Sequence, residues 1–222
     1  MKLIRRCIDL LFPRLCLGCG KMGSYVCSQC LTQECRISCV TFPKKAHVNM
    51  LVSATEYKGI FKKLITVAKY GPYKQVLMDV TERLISDECV NALPLTLRLH
   101  GECSIYPVPM HPHKKKYRGF NQAEKIADVL SRKTGLPIMR NQLLKTIDTS
   151  PQASLSRLQR QENVKGVFML KDARCLPKKV IIVDDVWTTG STIGEIAHVL
   201  KENGVEYVVA CTLARRWYNG ST

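Results

Sequence analysis

The chain has 222 residues, enough for one good α/β domain and a small module, and its hydrophobic share of 45% is ordinary for a globular protein. Its charge is not ordinary: 34 basic against 18 acidic residues give +16, which fits a polyanionic partner, nucleic acid first and an anionic membrane surface second. No apolar run approaches the roughly eighteen residues of a membrane span, and Asp9 breaks the short one near the N-terminus with no small-residue cleavage site after it, so a cytoplasmic protein is expected.

Taken in chain order, the cysteines come first. There are 11, and thiols of an intracellular protein rarely form disulfides. Four fall as Cys16-x2-Cys19-x7-Cys27-x2-Cys30. Two such knuckles place paired thiolates on tight turns, and four thiolates complete a tetrahedral zinc shell. Gly18 and Gly20 give the turns their freedom, and the spacer of seven, short for a zinc ribbon, suffices for a small hairpin over 21–26. The set predicts structural zinc with no position left open for catalysis; free or redox thiols are the alternative. Cys35 and Cys39 either exchange into this shell or are surface thiols. Cys7, Cys89, Cys103, Cys175 and Cys211 read as packing residues. A module of N-terminal helix and finger is expected over 1–43, with Phe42-Pro43-Lys44-Lys45 as linker to a larger domain over 44–222.

A strand is predicted over 51–57, then a helix over 59–70 from the spacing of Ile60, Leu64, Ile65 and Ala68, and a second helix over 75–86. Residues 104–109 form an extended run ending in prolines. The segment after it is a basic loop, with Lys114, Lys115, Lys116 and Arg118 interleaved with Tyr117 and Phe120. His111 and His113 flank a proline without an obvious third ligand and read as surface residues. Asn121-x-x-Glu124 caps a helix through Lys133, which Gly135 and Pro137 end. Ser154 or Ser156 starts another helix, through Arg160 to Asn163. Strands recur at 166–170, 180–183 and 206–213. Strands alternating with helices predict a largely parallel sheet covered on both faces, with ligands bound outside the carboxyl ends of its strands.

The most informative stretch is Val180-Ile-Ile-Val-Asp184-Asp185-Val-Trp187-Thr188-Thr189-Gly190-Ser191-Thr192. A β-branched run of buried-strand length stops at two carboxylates, and a hydroxyl-rich loop follows. Thr192-x-x-Glu195 reads as a capping box, so a helix is expected near Ile193. It would bury Ile193, Ile196, Ala197 and Leu200 and stop at Asn203-Gly204. A glycine and hydroxyl turn at a helix N-terminus aims backbone N–H groups at a phosphate. The two acids would repel that phosphate, so they must face sugar hydroxyls or a magnesium ion. The chain has neither G-x-x-x-x-G-K-[ST] nor a G-x-G-x-x-G after a strand.

These residues resemble the phosphoribosyl pyrophosphate (PRPP) motif of type I phosphoribosyltransferases: a hydrophobic run, two acids, then T-T-G-x-T. The resemblance implies that Asp184 and Asp185 hold ribose hydroxyls and that Thr188, Thr189, Gly190, Ser191 and Thr192 cradle the 5′-phosphate, with magnesium accompanying PRPP. The plain alternative is a strand–turn–helix with acids at a solvated strand end. Together with the cysteine knuckles, Arg118-Gly-Phe-Asn-Gln122 and Asp148-Thr-Ser-Pro-Gln152-Ala-Ser-Leu-Ser156-Arg157-Leu-Gln-Arg160 make the chain similar to the competence protein F (ComF) family. That resemblance implies an α/β fold, a type I phosphoribosyltransferase-like parallel sheet flanked by helices, behind a four-cysteine zinc finger. It also implies a part in natural transformation, with single-stranded DNA, PRPP and a DNA-translocating competence protein at the membrane as partners. Residues 108–113 take the place of the pyrophosphate loop. Lys114, Lys115, Lys116, Arg118, Arg157 and Arg160 would neutralise the diphosphate or face DNA, and Tyr117, Phe120, Trp217 and Tyr218 would stack bases. Trp187 departs from the motif; it is either an exposed loop residue or a wall that narrows a base pocket. Two functions follow: a single-stranded DNA-binding protein with PRPP as ligand or regulator, or an active phosphoribosyltransferase acting on an unknown base or nucleotide-type acceptor.

Overall fold

The computed structural model describes residues 14–69, 74–98, 102–148, 162–174 and 176–217. The expected N-terminal helix with Cys7, the helix carrying Ser154, Ser156, Arg157 and Arg160, Cys175 and Tyr218 lie outside those residues.

Five strands make the main sheet: β1 (Ser38–Thr41), β2 (Met50–Glu56), β3 (Cys103–Pro107), β6 (Lys179–Trp187) and β7 (Tyr207–Arg215), in the order β1-β2-β7-β6-β3. Four of them run parallel, and β1 closes one edge antiparallel to β2. The side chains of β6 show why the sheet needs cover on both faces. Val180 and Ile182 point to one side and Ile181 and Val183 to the other, and all four are fully buried. On the first side they meet α8 (Ser191–Glu202) through Ile193, Ile196, Ala197 and Leu200, the four residues the helical spacing selects. On the second side they meet α2 (Gly59–Lys69), α3 (Lys74–Leu84) and α7 (Gln122–Thr134), through Leu64, Leu77 and Ile126 among others. Two short helices, α4 (Asp87–Asn91) and α5 (Leu95–Arg98), lead into β3.

Several expectations need correction. Strand β6 does not stop at the acids; it runs through Asp184 and Asp185 to Trp187, because β7 keeps pairing with it as far as Arg215. Helix α8 begins at Ser191 rather than Ile193, and Glu195 does not turn back on the helix start; its carboxylate accepts the N–H of Gly166 at 2.8 Å. The strand at 166–170 is not part of the main sheet. Shortened to β5 (Phe168–Leu170), it pairs antiparallel with β4 (Leu143–Lys145) as a separate ribbon with one buried residue per strand, too narrow a face to enter a sheet covered on both sides. The basic segment is no loop but a helix, α6 (Pro112–Arg118), started by proline and ended by Gly119 in the left-handed region at φ 79°. Its C-terminal Lys115, Lys116 and Arg118 sit favourably at the negative end of the helix dipole.

The cysteine module does not have a core of its own. Cys16, Val26 and Cys27 are buried in the same cluster as Ile60, Leu64 and Val52. Its helix α1 (Ser28–Glu34) is tied to the β2–α2 corner, where Thr55 Oγ1 donates to the Glu34 carbonyl at 3.1 Å and the Ile60 N–H donates to the Glu34 carboxylate at 3.3 Å. From α3, Arg83 donates to the Val26 carbonyl and, at 3.0 Å, to the Ser28 hydroxyl. Cys35 donates to the Ala54 carbonyl at 3.3 Å and Cys39 sits in β1 opposite Val52, so neither joins the other four cysteines.

Candidate functional site

The four parallel strands end at one edge of the sheet, and the residues just beyond them enclose a cavity of about 530 Å³. Tyr57 follows β2, Val108 follows β3 and Arg216 follows β7, while β6 contributes Asp184 and Asp185 and the turn after it Thr188 to Thr192. Every residue of the expected phosphate motif therefore lines one space, at the carboxyl ends where such sheets bind ligands. Asp185 is 8% exposed, and its N–H is held by the Asp184 carboxylate at 2.8 Å. The turn is stiffened by its own hydroxyls: Thr189 Oγ1 lies 2.6 Å from Ser191 Oγ.

Gly190 has φ 77°, and a Cβ added to it would overlap the indole of Trp187. Only glycine satisfies both conditions. This settles the place of Trp187: it is a strand residue, stacked on Phe42 at 5.7 Å, and it braces the turn from beneath as well as touching the cavity.

The opposite wall comes from the Arg118-Gly-Phe-Asn-Gln122 segment and its approach. Asn121 is buried and does two jobs: Oδ1 caps α7 by accepting the Ala123 N–H at 3.1 Å, and Nδ2 donates to the Val108 carbonyl at 2.9 Å. That fixes the 108–113 turn relative to α7. Arg118 donates to Gln122 at 2.8 Å, and both line the cavity, as does Lys114. Lys115 and Lys116 do not line it; Lys115 is paired with Glu124 at 2.7 Å and Lys116 points to solvent. Phe120 is not available for stacking, since it is buried in the core at 6% exposure, whereas Tyr117 is 94% exposed. Trp217 is half exposed, with the Arg215 guanidinium over its ring.

Sequence reasoning missed Lys145, Tyr57, Lys62 and Arg216, all in the cavity wall. Tyr57 ends the predicted 51–57 strand and Arg216 lies three residues past the predicted 206–213 strand, so a search at the carboxyl ends of the strands would have reached both. Lys145 left no such signal, because β4 is three residues long. Burial holds the Lys145 ammonium below the usual lysine range, helped by repulsion from Lys114 and opposed by Asp148 and Asp184. The two histidines also need correction. His111 is not a surface residue, with 15% of its side chain exposed, and a third ligand-type group does face it and His113: the Asp148 carboxylate.

At the other end of the sequence, the sulfurs of Cys16, Cys19, Cys27 and Cys30 lie within 4.8 Å of one another. Burial opposes ionisation of Cys16, but the N–H groups of Cys27, Cys19 and Gly18 outweigh it and bring the thiol down to about 6. The N–H of Cys30 likewise lowers Cys27, and proximity to the Cys27 sulfur first, then burial, pushes Cys30 up to about 12. Four sulfurs that cannot all ionise unaided, ringed by N–H donors, fit a tetrahedral dication such as zinc, with no ligand position left over. Among the described residues, no helix is long and apolar enough to cross a membrane.

Comparison with known proteins agrees with this geometry. A family model described as the phosphoribosyl transferase domain matches residues 116–219. Competence protein F of Haemophilus influenzae is 38% identical over 209 residues, which are 92% of this chain and 85% of that protein. DNA utilization protein YhgH of Escherichia coli K12 is 32% identical over 169 residues, 70% of this chain and 73% of that protein. Competence protein ComFC of Streptococcus pneumoniae is 24% identical over 212 residues, 90% and 87% of the two chains. An identity of 38% spread over 92% of the sequence is more than a common fold produces, and the chain belongs to the competence protein F family.

Proposed function

We propose that the protein acts in natural transformation, binding single-stranded DNA in the cytoplasm and carrying a site for magnesium-PRPP. The observation that carries the ligand is the convergence of two carboxylates, a hydroxyl and glycine turn and five cations on one cavity. In this reading the α8 N-terminus and residues Thr188 to Thr192 hold the 5′-phosphate, and Asp184 and Asp185 the ribose hydroxyls. Lys114, Arg118 and Lys145 face the diphosphate, whose remaining charge magnesium neutralises. The names of the relatives, competence and DNA utilization, together with a net charge of +16, support the DNA part. Lys116 and Tyr117 stand exposed beside the cavity, a cation and a stacking ring in reach of one strand. A DNA-translocating competence protein at the membrane is the partner expected to deliver that strand.

A second reading, transfer of the phosphoribosyl group to a base or nucleotide-type acceptor, is favoured by the wall formed by Tyr57, Lys62 and Arg216. Those three residues line the same cavity outside the ribose-phosphate motif, where an acceptor would have to stand.

Calorimetric titration of magnesium-PRPP into the protein tests the ligand. Binding is expected in the parent and absent in Asp184→Asn/Asp185→Asn; a parent that binds nothing refutes the site. For DNA, the affinity should fall with salt at a log–log slope of about −0.7 per phosphate neutralised.

A further inference from the structure

We propose that His111, His113 and Asp148 form a second metal site, distinct from the cysteine cluster, for a dication of the zinc class, with an open coordination position toward the cavity. The three side chains come from two segments, the entry to α6 and the turn after β4, and their ligand atoms lie within 4.8 Å of one another. Asp148 Oδ2 is 3.5 Å from His111 Nδ1 and 4.0 Å from His113 Nδ1. These separations are too long for good hydrogen bonds. They are close to what one ion imposes: ligand atoms about 2.0–2.1 Å from a tetrahedral centre stand about 3.4 Å apart.

Two observations favour an ion over a plain salt bridge. Nδ1 of His111 is shut off from solvent yet makes no hydrogen bond among the described residues, an expensive arrangement unless something else occupies it. The imidazoles also meet edge to face at 4.9 Å, and Lys114 already donates to the other Asp148 oxygen at 3.2 Å. Lys114 takes one carboxylate oxygen, which leaves the other facing the Nδ1 atoms of both imidazoles, three ligand atoms around one point.

Two imidazoles and a carboxylate select zinc, cobalt or a related ion over magnesium, which takes oxygen ligands. Three protein ligands leave at least one position for water or an anion. His111 lines the cavity, so that position faces the space where a phosphate oxygen of the ligand would lie. Only this last step rests on the proposed phosphate site; the metal set itself does not.

The test uses the full chain with zinc in its cysteine cluster, titrated with Co2+ and followed by visible absorption. One further equivalent of cobalt is expected, with d–d bands and no sulfur-to-cobalt charge transfer, persisting in excess magnesium. His113→Ala and Asp148→Asn change exposed side chains, 83% and 38% accessible, so folding is spared; each should abolish the bands while zinc content stays at one. Inorganic phosphate should then shift the bands of the parent. A zinc-loaded parent without a cobalt spectrum, or a spectrum that survives in both variants, overturns the site. Bands indifferent to phosphate overturn the open position. Neither result depends on whether PRPP binds.

Discussion

The cysteine cluster and the cavity are built in opposite ways. The cluster takes all four ligands from residues 16–30, two short turns and the start of α1. The cavity takes its walls from segments as far apart as Tyr57 and Arg216, each fixed by the sheet beneath it. A local site depends on what it binds, whereas a dispersed site depends on the fold. Here the two dependences meet, because the cysteine module shares its buried cluster with β2 and α2. The largest effect should therefore come from zinc. Structural zinc supplies roughly 10–16 kcal/mol of binding energy in finger peptides. Chelation, or Cys16→Ser, should lower the stability of the whole chain by several kcal/mol and give one calorimetric transition at a lower temperature. Two transitions, with the upper one unmoved, would show that the cluster is a separate unit after all.

The next comparison is between two aromatic residues three positions apart. Phe120→Ala empties a buried site and should cost about 3–5 kcal/mol in denaturant unfolding. Tyr117→Ala should leave stability within about 0.5 kcal/mol. It should weaken single-stranded DNA binding by about 1–3 kcal/mol if its exposed ring stacks a base. Equal losses of stability in the two variants would overturn their assignment to core and surface.

These residues also show what a sequence can and cannot reveal here. Phe120 and Tyr117 stand in one basic segment and look alike as stacking candidates; the difference is the helix α6, whose Pro112 start and Gly119 stop were visible but read as a loop. The core of α8 was legible because Ile193, Ile196, Ala197 and Leu200 repeat at the helical period against a strand buried on both faces. The cysteine set and the phosphate turn were legible because each is contiguous. Lys145 and the Asp148 side of the histidine pair were not, since the ribbon of β4 and β5 brings them in across the fold without periodicity of its own. The capping box at Thr192 failed for a similar reason: Glu195 had a more distant N–H to accept, that of Gly166.

The phosphate turn offers a smaller test of the same contrast. Gly190→Ala must place a Cβ at positive φ and into the Trp187 ring, so it should cost about 1–3 kcal/mol of stability. Because the strain falls on the turn itself, it should weaken phosphate-ligand binding by more than the loss of stability alone would suggest. A variant as stable as the parent would mean that Trp187 does not brace the turn.

The smallest effect, and the most specific, concerns Lys145. Its ammonium is held below the ordinary range by burial first and by Lys114 second. A phosphate ligand binds the protonated form, so binding energy from this residue is complete at low pH and is lost as pH rises through the depressed value. A phosphate monoester is already fully charged above neutrality, its second pKa being about 6. Titrations of such a monoester from neutral to alkaline pH should thus show affinity declining earlier than an unperturbed lysine would allow. Lys145→Arg keeps its charge and should flatten the decline. Lys114→Ala removes the repulsion and should move the decline to higher pH, even as it weakens binding overall. A decline that is the same in all three proteins would place its cause elsewhere in the cavity and remove Lys145 from the set of ligand-facing cations.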